Sequence, residues 1–70
     1  MMPLAMAGVG ETGSIQKITG RDEVRQHLTE LGFVVGEQIT VVSVLGGNMI
    51  LSVKDSRVAI DRSMAMRVMI

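Results

Sequence analysis

The chain of 70 residues contains no cysteine, so neither a disulfide nor a thiolate zinc site can stabilise it. Tryptophan and tyrosine are also absent, and Phe33 is the only phenylalanine. Grooves for proline-rich peptides and platforms for single-stranded nucleic acid both rely on several aromatic rings, so this composition disfavours both. Because hydrophobic residues still make up 47% of the chain, we expect a globular fold with an aliphatic core.

The chain also lacks an excess of either charge, since seven basic side chains balance seven acidic ones. A dedicated nucleic-acid-binding protein or a membrane-surface protein would carry a basic excess, so we expect no nucleic-acid partner and no membrane insertion. Residues 1–10 lack the basic start of a secretory signal, and no apolar run approaches the roughly 18 residues of a membrane span. We therefore expect a cytoplasmic protein that forms a single domain over residues 1–70.

One segment, residues 21–31, has the periodicity of a helix. Its apolar residues recur at the i, i+4 and i+7 positions of one helical face, namely Val24, Leu28 and Leu31. Thr19 or Asp22 is suited to cap the start of this helix. Gly32 suits the left-handed position that often follows the end of a helix. The pattern predicts one helix of about three turns.

The remainder of the chain has the patterns of β-strands. One short strand, residues 14–18, precedes the helix, and four follow it, at residues 38–44, 49–53, 57–60 and 66–70. In the last of these, Met66 is expected to alternate with Val68 and Ile70 on the inner face. We predict an all-β fold of about five strands that closes into a small barrel, with the helix between its first and second strands.

Residues 8–13 match the G-x-G-x-x-G pattern of dinucleotide-binding proteins letter for letter. That pattern holds a pyrophosphate when a strand precedes it and a helix follows it. Here only seven residues precede it, and the residues after it are strand-like. We interpret it as a turn that leads into the first strand, and we expect no cofactor.

His27 is the only histidine and the only candidate base for nucleophilic catalysis by a serine. Nothing in the sequence places it near a serine, so we expect no enzymatic activity. With Glu23 or Glu30, which share its helix face, His27 could form a weak metal site of oxygen and nitrogen ligands. The methionines favour soft ions such as Cu(I) over Fe(II), and we interpret them as core packing.

Several short motifs run through the chain in a characteristic order. They are Pro3-Leu4, Gly10-Glu11-x-Gly13, the strand at residues 15–18, RQHLTELGF at residues 25–33, Gly36, Gly46-Gly47, Val58-Ala59-Ile60 and Ala65. In this order and spacing the chain resembles the FeoA family, small accessory proteins of bacterial ferrous-iron uptake. It departs from the family at Val35 and Asn48, where the family often has proline.

The resemblance implies an SH3-like fold and contact with the cytosolic part of FeoB, a GTP-dependent membrane iron transporter. The same fold occurs as a domain of iron-dependent repressors, so the alternative is a weak divalent-metal-binding carrier or sensor module. For the contact surface we expect the helix and its exit, namely Arg25, Leu28, Leu31 and Phe33. For Leu28 and Leu31 a core position is the favoured interpretation, and partial exposure at the rim of the barrel would let them serve both roles. Weak self-association also remains open.

Overall fold

Two antiparallel sheets make up the computed structural model, which describes all 70 residues. The strands are β1 (Thr12–Ser14), β2 (Lys17–Ile18), β3 (Gln38–Leu45), β4 (Asn48–Val53), β5 (Ser56–Asp61) and β6 (Val68–Met69). The helices are a short 3-10 helix (Leu4–Met6), α1 (Asp22–Glu30) and α2 (Arg62–Ala65). One sheet has the order β1-β3-β4-β5, and the other consists of β2 and β6. This mainly β architecture, with its one long helix ahead of the main hairpins, confirms the predicted fold class.

The first predicted strand, residues 14–18, is wrong as a single element because β1 and β2 belong to different sheets. The Ile15 N–H donates to the Glu37 carbonyl at 2.9 Å, whereas the Gln16 N–H donates to the Met69 carbonyl at 2.8 Å. The chain therefore passes from one sheet to the other between these two residues. The side chain of Ile15 is buried at this corner, where both sheets meet the core.

Strands β3, β4 and β5 form a meander joined by two-residue turns, Gly46-Gly47 and Lys54-Asp55. In each turn the first residue has positive φ, +58° at Gly46 and +56° at Lys54. This conformation is typical of tight hairpins, whose twist must match that of the strands. Alternate residues of β4 point into the core, as the period of two predicts, namely Met49, Leu51 and Val53.

The core consists of 13 buried residues, all of them apolar, that form one contiguous cluster. Phe33 is the largest fully buried side chain, and aliphatic residues surround it. No buried side-chain nitrogen or oxygen lacks a hydrogen-bond partner. None of the helices has the length and apolar character that crossing a membrane requires.

Two local predictions are wrong. Neither Thr19 nor Asp22 caps α1, since Arg21 occupies the N-cap position and no side chain accepts a capping bond there. The last strand is shorter than predicted, and Met66 is 41% exposed rather than in the core. The cause is α2, whose first turn is closed by the Asp61 Oδ1 atom accepting the Met64 N–H at 2.8 Å. Met66 therefore lies at the end of a helix, where the strand alternation does not apply.

Candidate protein-binding site

Helix α1 ends in a Schellman motif, which fixes the path of the chain after it. Gly32 adopts φ of +105°, a left-handed conformation that glycine tolerates best. Its N–H donates to the Thr29 carbonyl at 3.0 Å, and the Phe33 N–H donates to the Leu28 carbonyl at 2.9 Å. The apolar pair of this motif, Leu28 and Phe33, is fully buried. The positive φ predicted for Gly32 is therefore present.

The four residues expected to form a contact surface have different environments. Leu28 and Phe33 are both 0% exposed, so their side chains offer no area to a partner. They can influence a surface only by holding α1 and the following loop in place. Leu31 is half-buried and packs against the core. Arg25 is exposed and forms an ion pair with Asp22, three residues earlier on α1. Of the four, Arg25 presents the most accessible side chain.

Arg25 lines an open groove of about 550 Å³ between α1, β2 and the loop after the Schellman motif, here called the α1–β2 groove. Its other lining residues are Gln16, Lys17, Ile18, Asp22, Gln26, Thr29, Val34 and Val35. The apolar part of the groove comes from the two valines and Ile18. Polar and charged side chains surround this apolar part. Such an arrangement, a small apolar centre with a polar rim, is typical of protein-binding surfaces.

Val35 is the most accessible apolar residue of this groove, with 66% of its surface exposed. Lys17, on β2, has no acidic side chain within salt-bridge distance. The Thr29 hydroxyl donates to the Arg25 carbonyl at 2.8 Å, so this hydroxyl is engaged in α1 itself. The groove thus combines an accessible valine with a free cation, which suits contact with an apolar side chain flanked by an acidic one.

The sequence motifs did not point to this groove. Periodicity identified the helix, but the groove also depends on β2. The sequence predicts the residues of β2 as part of one longer strand at residues 14–18. The departure from the family pattern at Val35 was the one signal that could have found it. A β-branched apolar residue at an expected turn position next to Gly36 has no core role, so its side chain is available to solvent or a partner.

The proposed metal ligands Glu23, His27 and Glu30 are exposed along α1. Nowhere in the structure do three His, Asp or Glu side chains come together in a group that could hold a metal ion. A second depression, of about 390 Å³, lies over β1, β3 and β4 and has only polar lining residues. It lacks the apolar centre that distinguishes the α1–β2 groove.

Comparison with known proteins relates this chain to ferrous-iron transport. Residues 2–70 match the sequence model of the FeoA domain. The chain is 36% identical over 70 residues to a protein of Methanocaldococcus jannaschii, provisionally named Fe(2+) transport protein A, and the match spans 100% of this chain and 85% of that protein.

Solved structures give the same relationship. The crystal structure of a FeoA described as an iron uptake regulatory protein superimposes with a TM-score of 0.88 at 36% identity, over 96% of this chain and 89% of that one. FeoA of Stenotrophomonas maltophilia, solved in complex with zinc and described as a prokaryotic SH3 domain protein, has a TM-score of 0.84 at 28% identity, over 99% of this chain and 88% of that one. The predicted SH3-like fold is thereby confirmed.

The fold also occurs in a metal-dependent regulator. A manganese-dependent transcriptional repressor superimposes with a TM-score of 0.87 at 14% identity. The superposition spans 94% of this chain but only 38% of the repressor. At this identity the likeness concerns the fold alone.

Proposed function

The chain belongs to the FeoA family, a family of ferrous-iron transport accessory proteins, and from that premise we propose that it acts in the cytoplasm by binding the cytosolic part of a FeoB-type, GTP-dependent iron transporter. The observation that carries the proposal is the family match over residues 2–70. Within this function, we propose the α1–β2 groove as the contact site. The protein would then act by binding and not by catalysis.

The groove supplies the physical basis for this contact. Burying the exposed part of the Val35 side chain against an apolar partner residue contributes about 1 kcal/mol, because a full valine burial is worth about 1.5 kcal/mol or more. Lys17 has no internal partner, so an acidic residue of the transporter can pair with it. Arg25 is held by Asp22 on the opposite side of the groove. These features favour a partner segment with an apolar residue next to a carboxylate.

The test is direct binding of the purified cytosolic domain of the transporter, measured by isothermal titration calorimetry. We expect Val35→Glu to weaken binding at least about tenfold, because it removes apolar contact and places a negative charge beside the partner's carboxylate. Val44→Glu is the matched control, since Val44 is also an exposed valine but lies on β3, outside the groove. Circular dichroism verifies that both variants are folded.

The outcomes separate the function from the site. Absence of binding by the parent chain at about 50 µM counts against the transporter as partner. Binding that Val35→Glu and Val44→Glu leave equally strong rejects the groove while the partnership stands. Loss of binding in Val44→Glu alone would place the contact at the β3–β4 hairpin.

A second candidate is a weak divalent-metal-binding module. The observation that favours it is the zinc complex of the Stenotrophomonas maltophilia FeoA, a protein 28% identical to this chain. Here the available donors would be His27 with Glu23 or Glu30 on α1. Anaerobic calorimetric titration with Fe(II) tests it. Heat that disappears in His27→Ala supports this candidate, and no heat with the parent chain removes it.

A further inference from the structure

Strand β5 is the last strand of its sheet, and no strand pairs with its outer edge. The tight turn before it brings Val53 opposite Ser56, which makes this a hydrogen-bonded pair. Bonding then alternates along β5, so the residues directed at β4 are Ser56, Val58 and Ile60. The same alternation continues beyond the strand, where the Arg62 N–H donates to the Gly47 carbonyl at 3.0 Å.

The intervening residues of β5 therefore direct their backbone groups away from the sheet, namely Arg57, Ala59 and Asp61. Their side chains are all exposed and share one face of the strand, because residues two apart point the same way. A six-residue strand with an open edge is a template for another strand. The other edge strand of this sheet, β1, has only three residues and is therefore a poorer template than β5.

The charged side chains on this edge of β5 are complementary to those on the same edge of a second copy. Arg57 and Asp61 lie two residues before and two residues after Ala59. If two β5 strands pair antiparallel about a twofold axis at Ala59, then Arg57 of each copy faces Asp61 of the other. Opposite charges directly across an antiparallel pair are favourable. Arg57 is free to make this contact, since it takes part in no ion pair within the chain.

The register also satisfies the backbone. Ala59 would exchange both of its hydrogen bonds with Ala59 of the second copy, because outward-directed residues of antiparallel strands form the hydrogen-bonded pairs. The small side chain of Ala59 at the axis allows the two strands to approach. Asp61 uses its Oδ1 atom to cap α2, which leaves its Oδ2 atom for Arg57 of the second copy.

We propose that this chain forms a twofold-symmetric dimer in which β5 of one copy pairs antiparallel with β5 of another, centred on Ala59. The pairing joins the two four-stranded sheets into one continuous sheet. A single pair of strands buries less area than the roughly 1,200–2,000 Å² of a stable interface, so the dimer is weak and forms at high protein concentration. It is independent of the proposed function, because no residue of β5 lines the α1–β2 groove.

Sedimentation velocity from about 10 µM to about 1 mM tests the dimer, with ¹⁵N-resolved NMR over the same range to locate it. We expect the chain to dimerise within this range, with the largest shift changes at the amides of Arg57, Ala59 and Asp61. We expect Arg57→Glu to weaken dimerisation at least about tenfold, since it replaces two attractions by two repulsions. The matched control is Arg21→Glu, which reverses an exposed charge at the start of α1 and is expected to keep the parent's dimerisation.

A charge exchange makes the test specific. Asp61→Arg alone places Arg57 opposite an arginine and should weaken dimerisation to a similar extent. An equimolar mixture of Arg57→Glu with Asp61→Arg restores both attractions and should dimerise at lower concentration than either variant alone. If Asp61→Arg fails to fold because α2 loses its cap, Ala59→Pro replaces it. This variant removes only an outward-directed N–H, which edge strands tolerate, and should abolish the dimer.

Two results would overturn the proposal. One is a parent chain that remains monomeric up to about 1 mM. The other is a dimer that neither Arg57→Glu nor Ala59→Pro weakens, because such a dimer uses a different surface.

Discussion

Gly32 should be the residue at which the smallest chemical change has the clearest effect on stability. Its φ of +105° closes the Schellman motif that turns the chain from α1 into the core. A Cβ atom added there would lie 3.5 Å from the Val53 Cγ1 atom, which is ordinary van der Waals contact. The cost of Gly32→Ala therefore comes from backbone conformation and not from a steric clash.

The magnitude follows from two opposing effects. An L-residue in a left-handed conformation costs about 1–2 kcal/mol, and +105° lies beyond the favoured left-handed region, so the upper value applies. Alanine also reduces the entropy of the unfolded chain, which returns about 0.4–1 kcal/mol. We expect Gly32→Ala to lower the free energy of unfolding by about 1 kcal/mol. For a domain of this size, such a loss lowers Tm by roughly 4–8 °C.

The measurement is urea unfolding followed by far-ultraviolet circular dichroism, because the chain has no tryptophan or tyrosine to serve as a fluorescent reporter. Gly47→Ala is the control. Gly47 has no positive φ and no atom within 4 Å of an added Cβ, so its free energy of unfolding should change by less than about 0.5 kcal/mol.

Chemical synthesis with D-alanine at position 32 provides the decisive comparison. D-alanine favours positive φ, so this chain should be at least as stable as the parent, while the L-alanine variant is less stable. If both enantiomers destabilise equally, or if Gly32→Ala matches the parent, then backbone conformation at Gly32 does not set the cost and the reasoning is refuted.

Three further predictions concern side chains. Leu28→Ala should lower the free energy of unfolding by about 2–5 kcal/mol in urea titrations, because Leu28 is fully buried; a change below about 1 kcal/mol would contradict that burial. Asp61→Ala should lower the free energy of unfolding by about 1 kcal/mol, because it removes the cap of α2, and Asp61→Asn should lower it by much less in the same assay. Met66→Gln should change Tm little, whereas Met49→Gln should lower it strongly because it buries an amide; equal effects would mean that Met66 is a core residue.

The predictions that succeeded rest on local patterns. The helix at residues 21–31 was predicted to within one residue at each end. Its apolar stripe indicates the helical segment, and Gly32, directly after the last apolar residue, indicates where the helix ends. The meander from β3 to β5 was also predicted, since β3 is rich in β-branched residues, β4 and β5 alternate, and each turn has residues that suit a tight reversal. Neighbouring residues contain all of this information.

The prediction of a single first strand failed because the path of that segment depends on distant residues. The corner between Ile15 and Gln16 exists because these two residues bond to different partners, Glu37 directly before β3 of one sheet and Met69 in β6 of the other. An uninterrupted strand pattern contains no sign of such a change. The exposure of Met66, by contrast, has a local cause, because Asp61 caps α2 through the N–H of Met64, three residues later, and α2 displaces the start of the last strand.

For the expected contact surface, too, some features follow from the sequence and others only from the packing. Sequence alone determined that α1 has an apolar face and that its exit carries Phe33, and it favoured a core position for Leu28 without excluding an interface. Packing decided this, because Leu28 and Phe33 close the Schellman motif inside the core. Only the tertiary structure brings β2 beside α1 and leaves Val35 exposed, and thus forms the groove. The physical reason is that periodicity specifies which face of an element is apolar, whereas the element that covers that face is chosen by the packing of the whole chain.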